Sequence, residues 1–311
     1  MARQINKSLH AEAFDDYLST QEAKLPVLPD VEHVSSRVIR ILGGNPGKFQ
    51  LQGTNTYILG TGSSRLMVDT GQGMPVWSSR VADVLAAENI QISEVLLTHW
   101  HGDHTGGVPD LIRMDPSLSS SIFKNQPDEG QRHIADGQTF FVEGATVKAV
   151  FSPGHAHDHM CFMLEEENAL FTGDNVLGHG TTAIEDLGTY MDSLRIMQAQ
   201  NCTLGYPAHG AVITNLPAKM TEYIGQRTRR ERQVLQRLKG KREGERIGGL
   251  GGKGSATVKE IVVAVHGEGL DDELSEMVLE PFTDEVLSKL AGDGRVGFEL
   301  SGSAKKWFIN E

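Results

Sequence analysis

Four residues of metal-binding type stand within six positions: His99, His101, Asp103 and His104, in the segment HWHGDHTGG. Neutral imidazole and carboxylate are good donors for Zn2+ and related divalent ions. At this spacing the four cannot all face one side of a regular strand or helix. On a loop relieved by Gly102 and by Gly106-Gly107 they can converge. Two ions held ~3.5–4 Å apart would activate a shared hydroxide and clamp an oxyanion, which is hydrolytic chemistry. Further candidates follow downstream: His155 in Ser-Pro-Gly-His, Asp174 in Phe-Thr-Gly-Asp and His209 in Tyr-Pro-Ala-His-Gly. Taken singly, each reads as a polar loop residue. As a set they share one setting, behind an apolar run and beside glycine or proline, where loops present ligands at strand ends.

The pattern predicts the elements that must carry them. Strands are expected over 34–42, 54–60 and 65–70, then a helix over 75–88 that Pro75 opens. A short apolar strand, 95–97, runs straight into the His/Asp segment, and 108–114 reads as helical. Strand pairs are expected over 138–151, turning at Glu143-Gly144, and over 160–164 with 169–172. A helix over 188–200 and a strand over 203–206 complete this part. Beyond it, 217–239 reads as one long polar helix, and 240–254 (GKREGERIGGLGGKG) as a flexible linker or exposed loop. Helices over 256–266 and 272–291, then strands over 295–300 and 305–309, have the order of a winged helix. The expected division is therefore a catalytic domain over 1–225, a basic helix and glycine-rich linker over 226–254, and a winged-helix-like domain over 255–311.

In this order, HxHxDH followed by His155, Asp174 and His209 resembles the metallo-β-lactamase superfamily, with the likeness concentrated over about 30–215. Asp69 in VDTG matches the family's first motif, whose aspartate supports the ligand loop instead of binding metal. The resemblance implies an α/β fold, a four-layer αββα sandwich with the metals at one sheet edge. It implies one ion on His99, His101 and His155, a second on Asp103, His104 and His209, and Asp174 bridging them. Asp103 is nominated as catalytic as well as ligating. Two Zn2+ per chain are expected, with Mn2+ as the other candidate. Longer runs, among them NPGKFQLQGTNTYILGTG (45–62), PGHAHDHMCFMLEEENALFTGDNVLGHGT (153–181) and GYPAHG (205–210), are similar to one lactamase-like branch. That branch holds an animal mitochondrial-type endoribonuclease and the fungal polyketide-pathway thioesterases, and the match is closer to the fungal type that releases atrochrysone carboxylic acid. The implied reaction is hydrolysis of a thioester between an aromatic polyketide and the acyl carrier protein of a non-reducing synthase. The alternative is a metal-dependent endoribonuclease acting on single-stranded RNA. The chain lacks the Gly-x-Ser-x-Gly elbow of a serine thioesterase.

Composition narrows the classes further. The chain has 311 residues and a formal net charge of −12, from 29 basic and 41 acidic residues. A general affinity for nucleic acid is disfavoured. No apolar stretch approaches the ~18–20 residues of a membrane span, and the first residues lack the apolar run of a secretory signal. Two cysteines, Cys161 and Cys202, make no disulfide framework and are expected as buried, inert thiols in a reducing cytoplasm. Charge is uneven along the chain. Residues 226–246 hold nine Lys/Arg against three Glu, whereas 255–311 hold five against twelve acids. The basic run reads either as a solvated helix face or as a docking site for an acidic partner. Of the twelve histidines, His157 and His159 are expected behind the site or at the surface, and His179 is a candidate for the pocket mouth. His10, His33, His133 and His266 read as ordinary surface residues.

Overall fold

The structure is a computed structural model that describes residues 25–247, 253–269, 272, 275–302 and 304–310. His10 and the N-terminal segment read above lie outside the described residues. Two compact units emerge, one of 25–185 with 189–221, the other of 186–188 with 222–310.

The larger unit is built on two sheets. The first holds seven strands in chain order: β1 (Val31–His33), β2 (Val38–Leu42), β3 (Asn55–Leu59), β4 (Ser64–Val68), β5 (Gln91–Leu96), β6 (Ile122–Lys124) and β7 (Arg132–His133). The strand expected over 34–42 is present but begins only at Val38, because 34–37 form the turn of a hairpin with β1. Ser35 accepts the backbone N–H groups of Arg37 and Val38 and turns the chain between β1 and β2. Between the strands lie α1 (Pro75–Glu88), a single turn α2 (Gly102–Thr105) and α3 (Val108–Met114). The second sheet runs β12-β11-β10-β9-β8, from β8 (Thr139–Val142), β9 (Ala145–Phe151), β10 (Met160–Leu164), β11 (Ala169–Gly173) and β12 (Leu204–Pro207). Helix α4 (Leu187–Ala199) lies between β11 and β12 in the chain.

Alternation along the strands makes the layers. Val38, Tyr57, Leu59, Leu66, Val68 and Leu96 of the first sheet share one core with Val147, Ala149, Phe162, Phe171 and Tyr206 of the second. The opposite faces of β2–β5, through Ile39, Ile41, Ile58, Met67 and Val95, pack under Trp77, Val81 and Leu111 of α1 and α3. On α4, Tyr190, Met191, Leu194 and Met197 are buried. The result is the expected αββα sandwich. Strands β4 and β5 pair in parallel, as do β11 and β12, so their C-terminal ends open on one edge.

In the smaller unit, α5 (Leu216–Ile247) runs on from the larger one, through the expected boundary at 225 and past the expected end at 239. Residues 240–247 are mostly Lys, Arg and Glu, which favour helix, and neither Gly240 nor Gly244 adopts a positive φ that would end it. The linker reading of 240–247 is thereby corrected, while 248–252 lie outside the described residues. Thr257 and Glu260 form a reciprocal cap on α6 (Val258–His266). The helix expected over 272–291 divides at Pro281 into a π-type turn, Ser275–Leu279, and α7 (Glu280–Gly292), because proline fits only a first helical turn. A hairpin of β13 (Val296–Ser301) and β14 (Ala304–Ile309) follows, with Trp307 buried.

Candidate active site

Every candidate ligand leaves the C-terminal end of a strand. β5 delivers His99 and His101, and the turn α2 delivers Asp103 and His104. The single helical turn corrects the expectation of a plain loop. An extended segment aims the first pair one way and a helical step aims the second pair another. β9 leads to His155, β11 to Asp174 and β12 to His209. Gly173 sits at φ +50°, and a Cβ there would stand 2.4 Å from His159 Nε2, so only glycine makes this corner. The two sheets are tied at this edge. Asn55 donates its side-chain N–H to the carbonyls of Pro207 and Gly210, and Tyr57 donates to Pro207.

The structure brings all seven residues together. Ligand atoms of His99, His101 and His155 lie within 4.8 Å of one another, as do those of Asp103, His104 and His209, and those of His99, His104 and Asp174. Asp174 faces both groups, Oδ1 standing 3.5 Å from His104 and 3.1 Å from His209, and Oδ2 3.5 Å from His155.

Hydrogen bonds on the far side of each ring set its tautomer. The Thr98 hydroxyl donates to Asp69 and can then accept the N–H of His99 Nδ1 at 2.9 Å. His155 Nδ1 donates to the Ala183 carbonyl at 2.8 Å, and His104 Nδ1 to the Asp69 carboxylate at 2.8 Å. Nε2 lone pairs of His99 and His155 are therefore turned into the cluster, and His104 Nε2 points there as well, free to ligate once it gives up its proton. His99 Nε2, His101 Nδ1 and His155 Nε2 are 2.8, 3.0 and 3.2 Å apart, a spacing at which a neutral triad needs a shared cation or proton. His104 Nε2 and Asp174 Oδ1 are buried without a hydrogen-bond partner. A divalent cation fits this donor set.

Electrostatics follow the same division. Burial pushes His99 well below its ordinary value and His101 below it too. Burial also opposes protonation of His104, but the charges of Asp174 and Asp69 outweigh it and hold His104 well above the usual range. His209, likewise buried, is pushed up to about 9 by Asp174 and Asp103. Asp103 and Asp174 stay below the carboxylate range because His209 and His104 overcome the cost of burial.

Other histidines sort as follows. His159 is fully buried, and its Nε2 accepts the backbone N–H of Asp174 at 3.1 Å. His157 is mostly exposed beside Glu185, and His179 is half-buried. His33, His133 and His266 are exposed. Cys161 and Cys202 are buried free thiols, pushed up to about 12 and about 11 by burial. Sequence reasoning missed several supports. Lys124 and Asp158 form a buried ion pair at 3.0 Å, and Asp158 accepts the backbone N–H of Trp100 inside the HWH segment. Thr54 and Gln50 donate to Asp103 at 3.3 and 3.4 Å. Trp100 itself is 47% exposed, its ring 4.4 Å from that of His101.

Paired mixed sheets between helices, with imidazoles and carboxylates gathered at one edge, define a class of metal-dependent enzymes. The chain belongs to the metallo-β-lactamase superfamily, whose sequence profile matches residues 50–113. It is 62% identical to the atrochrysone carboxyl ACP thioesterase AgnL7 of Paecilomyces divaricatus, over 98% of this chain and 96% of that protein. It is 60% identical to an atrochrysone carboxyl ACP thioesterase of Aspergillus terreus, over 99% and 96%. Among solved structures, a β-lactamase domain protein of Burkholderia ambifaria superposes with a TM-score of 0.69 at 16% identity, covering 91% of this chain and 95% of that one. A metallo-β-lactamase family protein of Thermus thermophilus gives 0.58 at 19%, covering 92% and 100%. Those two structures carry the fold. Among the described residues no helix is long and apolar enough to cross a membrane.

Proposed function

We propose that the chain is a metal-dependent thioesterase. It hydrolyses the thioester between an aromatic polyketide and the acyl carrier protein of a non-reducing synthase and releases the carboxylic acid. The observation that carries this reading is the reach of the likeness to proteins named atrochrysone carboxyl ACP thioesterase, which takes in 98–99% of the chain. The endoribonuclease alternative is not favoured, because the two relatives described above are thioesterases by name and 255–311 has twelve acids against five bases.

In this reading His99, His101 and His155 would hold one ion, and Asp103, His104 and His209 a second, with Asp174 shared. Nitrogen and oxygen donors favour Zn2+, with Mn2+ the other candidate. Such ions, when bound, supply Lewis acidity that polarises a carbonyl and ionises water at neutral pH. The chain's own part is positional. Asp69, Thr98 and the Ala183 carbonyl keep the imidazoles in the tautomers that expose lone pairs. Thr54 and Gln50 hold Asp103, and His159 holds the Asp174 backbone. Trp100 offers an aromatic face beside His101 against which a planar acyl group can lie. A pantetheine thiol has a pKa near ~8.5, so it departs as thiolate without a dedicated acid, and none is assigned. Two free buried thiols suit the reducing cytosol in which we place the enzyme.

Incubating metal-loaded protein with a carrier protein charged with an aromatic polyketide tests the reading. Free acid is expected, and none after chelation. Acyl chains left attached while unstructured RNA is cut would replace it with the alternative.

A further inference from the structure

The basic run along α5 has an orientation that sequence alone left open. Over 226–242 the chain carries eight Lys/Arg and one acid, Glu231. Glu231 is turned inward, buried against Lys289 at 3.0 Å. Arg230 is committed to the Phe282 ring at 5.7 Å, and Lys241 to Glu260 at 2.8 Å. Val234, Leu235 and Leu238 form the buried side of the helix. The opposite side, 229, 232, 233, 236, 237, 239 and 240, is exposed. It presents Arg229, Arg232, Arg237 and Lys239, interleaved with Gln233 and Gln236. Among the described residues Arg229, Arg232 and Arg237 have no acidic partner, and Lys239 has only Glu243 at 4.0 Å at its far end. Four cations thus cover about 15 Å of helix on a chain whose net charge is −12. Beside them opens a depression between α5 and α6, lined by Leu238, Ala256, Ile261 and Ala264 and by the charged side chains of Arg237, Lys241 and Glu260.

We propose that this face of α5, Arg229 to Lys239, is the docking surface for the acidic face of the carrier domain that delivers the thioester. The inference rests on the thioesterase reading for the partner's identity. Charge complementarity supports it. A surface helix ordinarily intersperses its cations with carboxylates at i,i+3 and i,i+4, and here the only acid between Arg229 and Lys239, Glu231, is withdrawn into the interior, leaving Glu243 at one end. A patch about 15 Å long beside a partly apolar depression matches a compact protein face. A nucleic acid would call for a longer basic track with stacking aromatics.

The test is charge reversal in the full-length protein, R229E/R232E/R237E, with R229Q/R232Q/R237Q as a milder companion. Arg230 is left intact because it packs on Phe282. Two substrates share one aromatic acyl group, carried either by a fungal polyketide synthase carrier domain or by N-acetylcysteamine. Carrier-domain affinity is measured separately with a non-hydrolysable amide-linked acyl group. At about 50 mM salt the reversal is expected to weaken carrier binding and raise its KM about tenfold or more, and the Gln variant less. The wild-type advantage should shrink at about 500 mM salt. kcat, the N-acetylcysteamine reaction and the melting temperature should stay unchanged. Carrier affinity unchanged by the reversal, or equal losses on both substrates, would overturn the proposal. So would single-stranded RNA binding this face while the carrier domain does not. Failure to hydrolyse the small thioester would count against the thioesterase reading, while the affinity measurement still decides the docking surface.

Discussion

Asp69 is where a single atom exchange separates support of a ligand from ligation itself. Its carboxylate is 1% exposed and accepts three groups: the Thr98 backbone N–H at 2.8 Å, the Thr98 hydroxyl at 2.8 Å and His104 Nδ1 at 2.8 Å. Its φ of +59° suits asparagine, which tolerates the left-handed region, so Asp69→Asn leaves the backbone undisturbed. If the amide oxygen keeps the Thr98 N–H, the amide NH2 faces His104 Nδ1. The hydroxyl of Thr98 can rotate to accept, but a ring N–H cannot. The neutral His104 that a metal ligand requires must then either face donor to donor or carry its one proton on Nε2, the atom that points at Asp103 and Asp174. Either outcome disables one ligand. Loss of such an outer partner costs about 10–100-fold in metal affinity, or about 1.4–2.7 kcal/mol. The fold loses about 1–3 kcal/mol for the unsatisfied donor, about 2–10 °C in Tm for a unit of this size.

Chelator competition on the full-length protein checks this. The expected result is selective, with affinity falling at the Asp103–His104–His209 group and staying within about threefold at the His99–His101–His155 group. The second group takes its tautomers from Thr98 and Ala183. Unchanged affinity at both would refute the tautomer argument, and equal loss at both would show that Asp69 merely holds the edge together.

Two further outcomes follow from the same geometry. Gly173→Ala introduces a methyl 2.4 Å from His159 Nε2 at a φ of +50°. It should cost about 2–5 kcal/mol, seen as a fall in Tm, and lower metal content by displacing the Asp174 backbone. Metal uptake at pH 7 should release protons, because His104 and His209 are both held protonated in the metal-free protein, His209 up to about 9. Asp103 and Asp174, already ionised, contribute none, nor do His99 and His101, which burial keeps neutral. Apparent affinity should therefore rise with pH through neutrality and up to at least about 9, where His209 gives up its proton. Titration calorimetry in buffers of differing ionisation enthalpy reads the proton count, and identical heats in all buffers would contradict the assignment.

What could be read from the sequence depends on how far apart the cooperating residues lie. His99, His101, Asp103 and His104 announce themselves because the strand end and the turn confine them to six residues. His155, Asp174 and His209 are legible because each repeats the same junction of apolar strand and glycine or proline. Trp100 N–H to Asp158, Gln50 to Asp103 and His155 to the Ala183 carbonyl are not, since nothing in the residues themselves marks a partner 28 to 58 positions away. Strand patterning marks most of the strands, and the sandwich itself is legible only through the resemblance of the ordered ligand motifs to the metallo-β-lactamase superfamily; α2 is not legible, being one turn long. The end of α5 is not legible, because Gly240 and Gly244 suggest a break in a helix that Lys, Arg and Glu carry through.

The supports that position the ligands also leave part of the site exposed, at Trp100 and at half-buried His101 and Asp103. A metal centre needs rigid donors yet an accessible face. Here rigidity comes from the protein side. Asp69, Thr98, Ala183, His159 and the buried Lys124–Asp158 pair all act from behind the rings. Their hydrogen bonds leave the outer face to half-buried His101 and Asp103 and to exposed Trp100. Were the same imidazoles oriented by polar groups on the solvent side, those groups would fill the space an acyl thioester must enter. Placing the ligands just beyond strand ends, with Asp69, Thr98 and His159 bordering β4, β5 and β10 as their restraints, gives an order that a surface loop alone could not maintain.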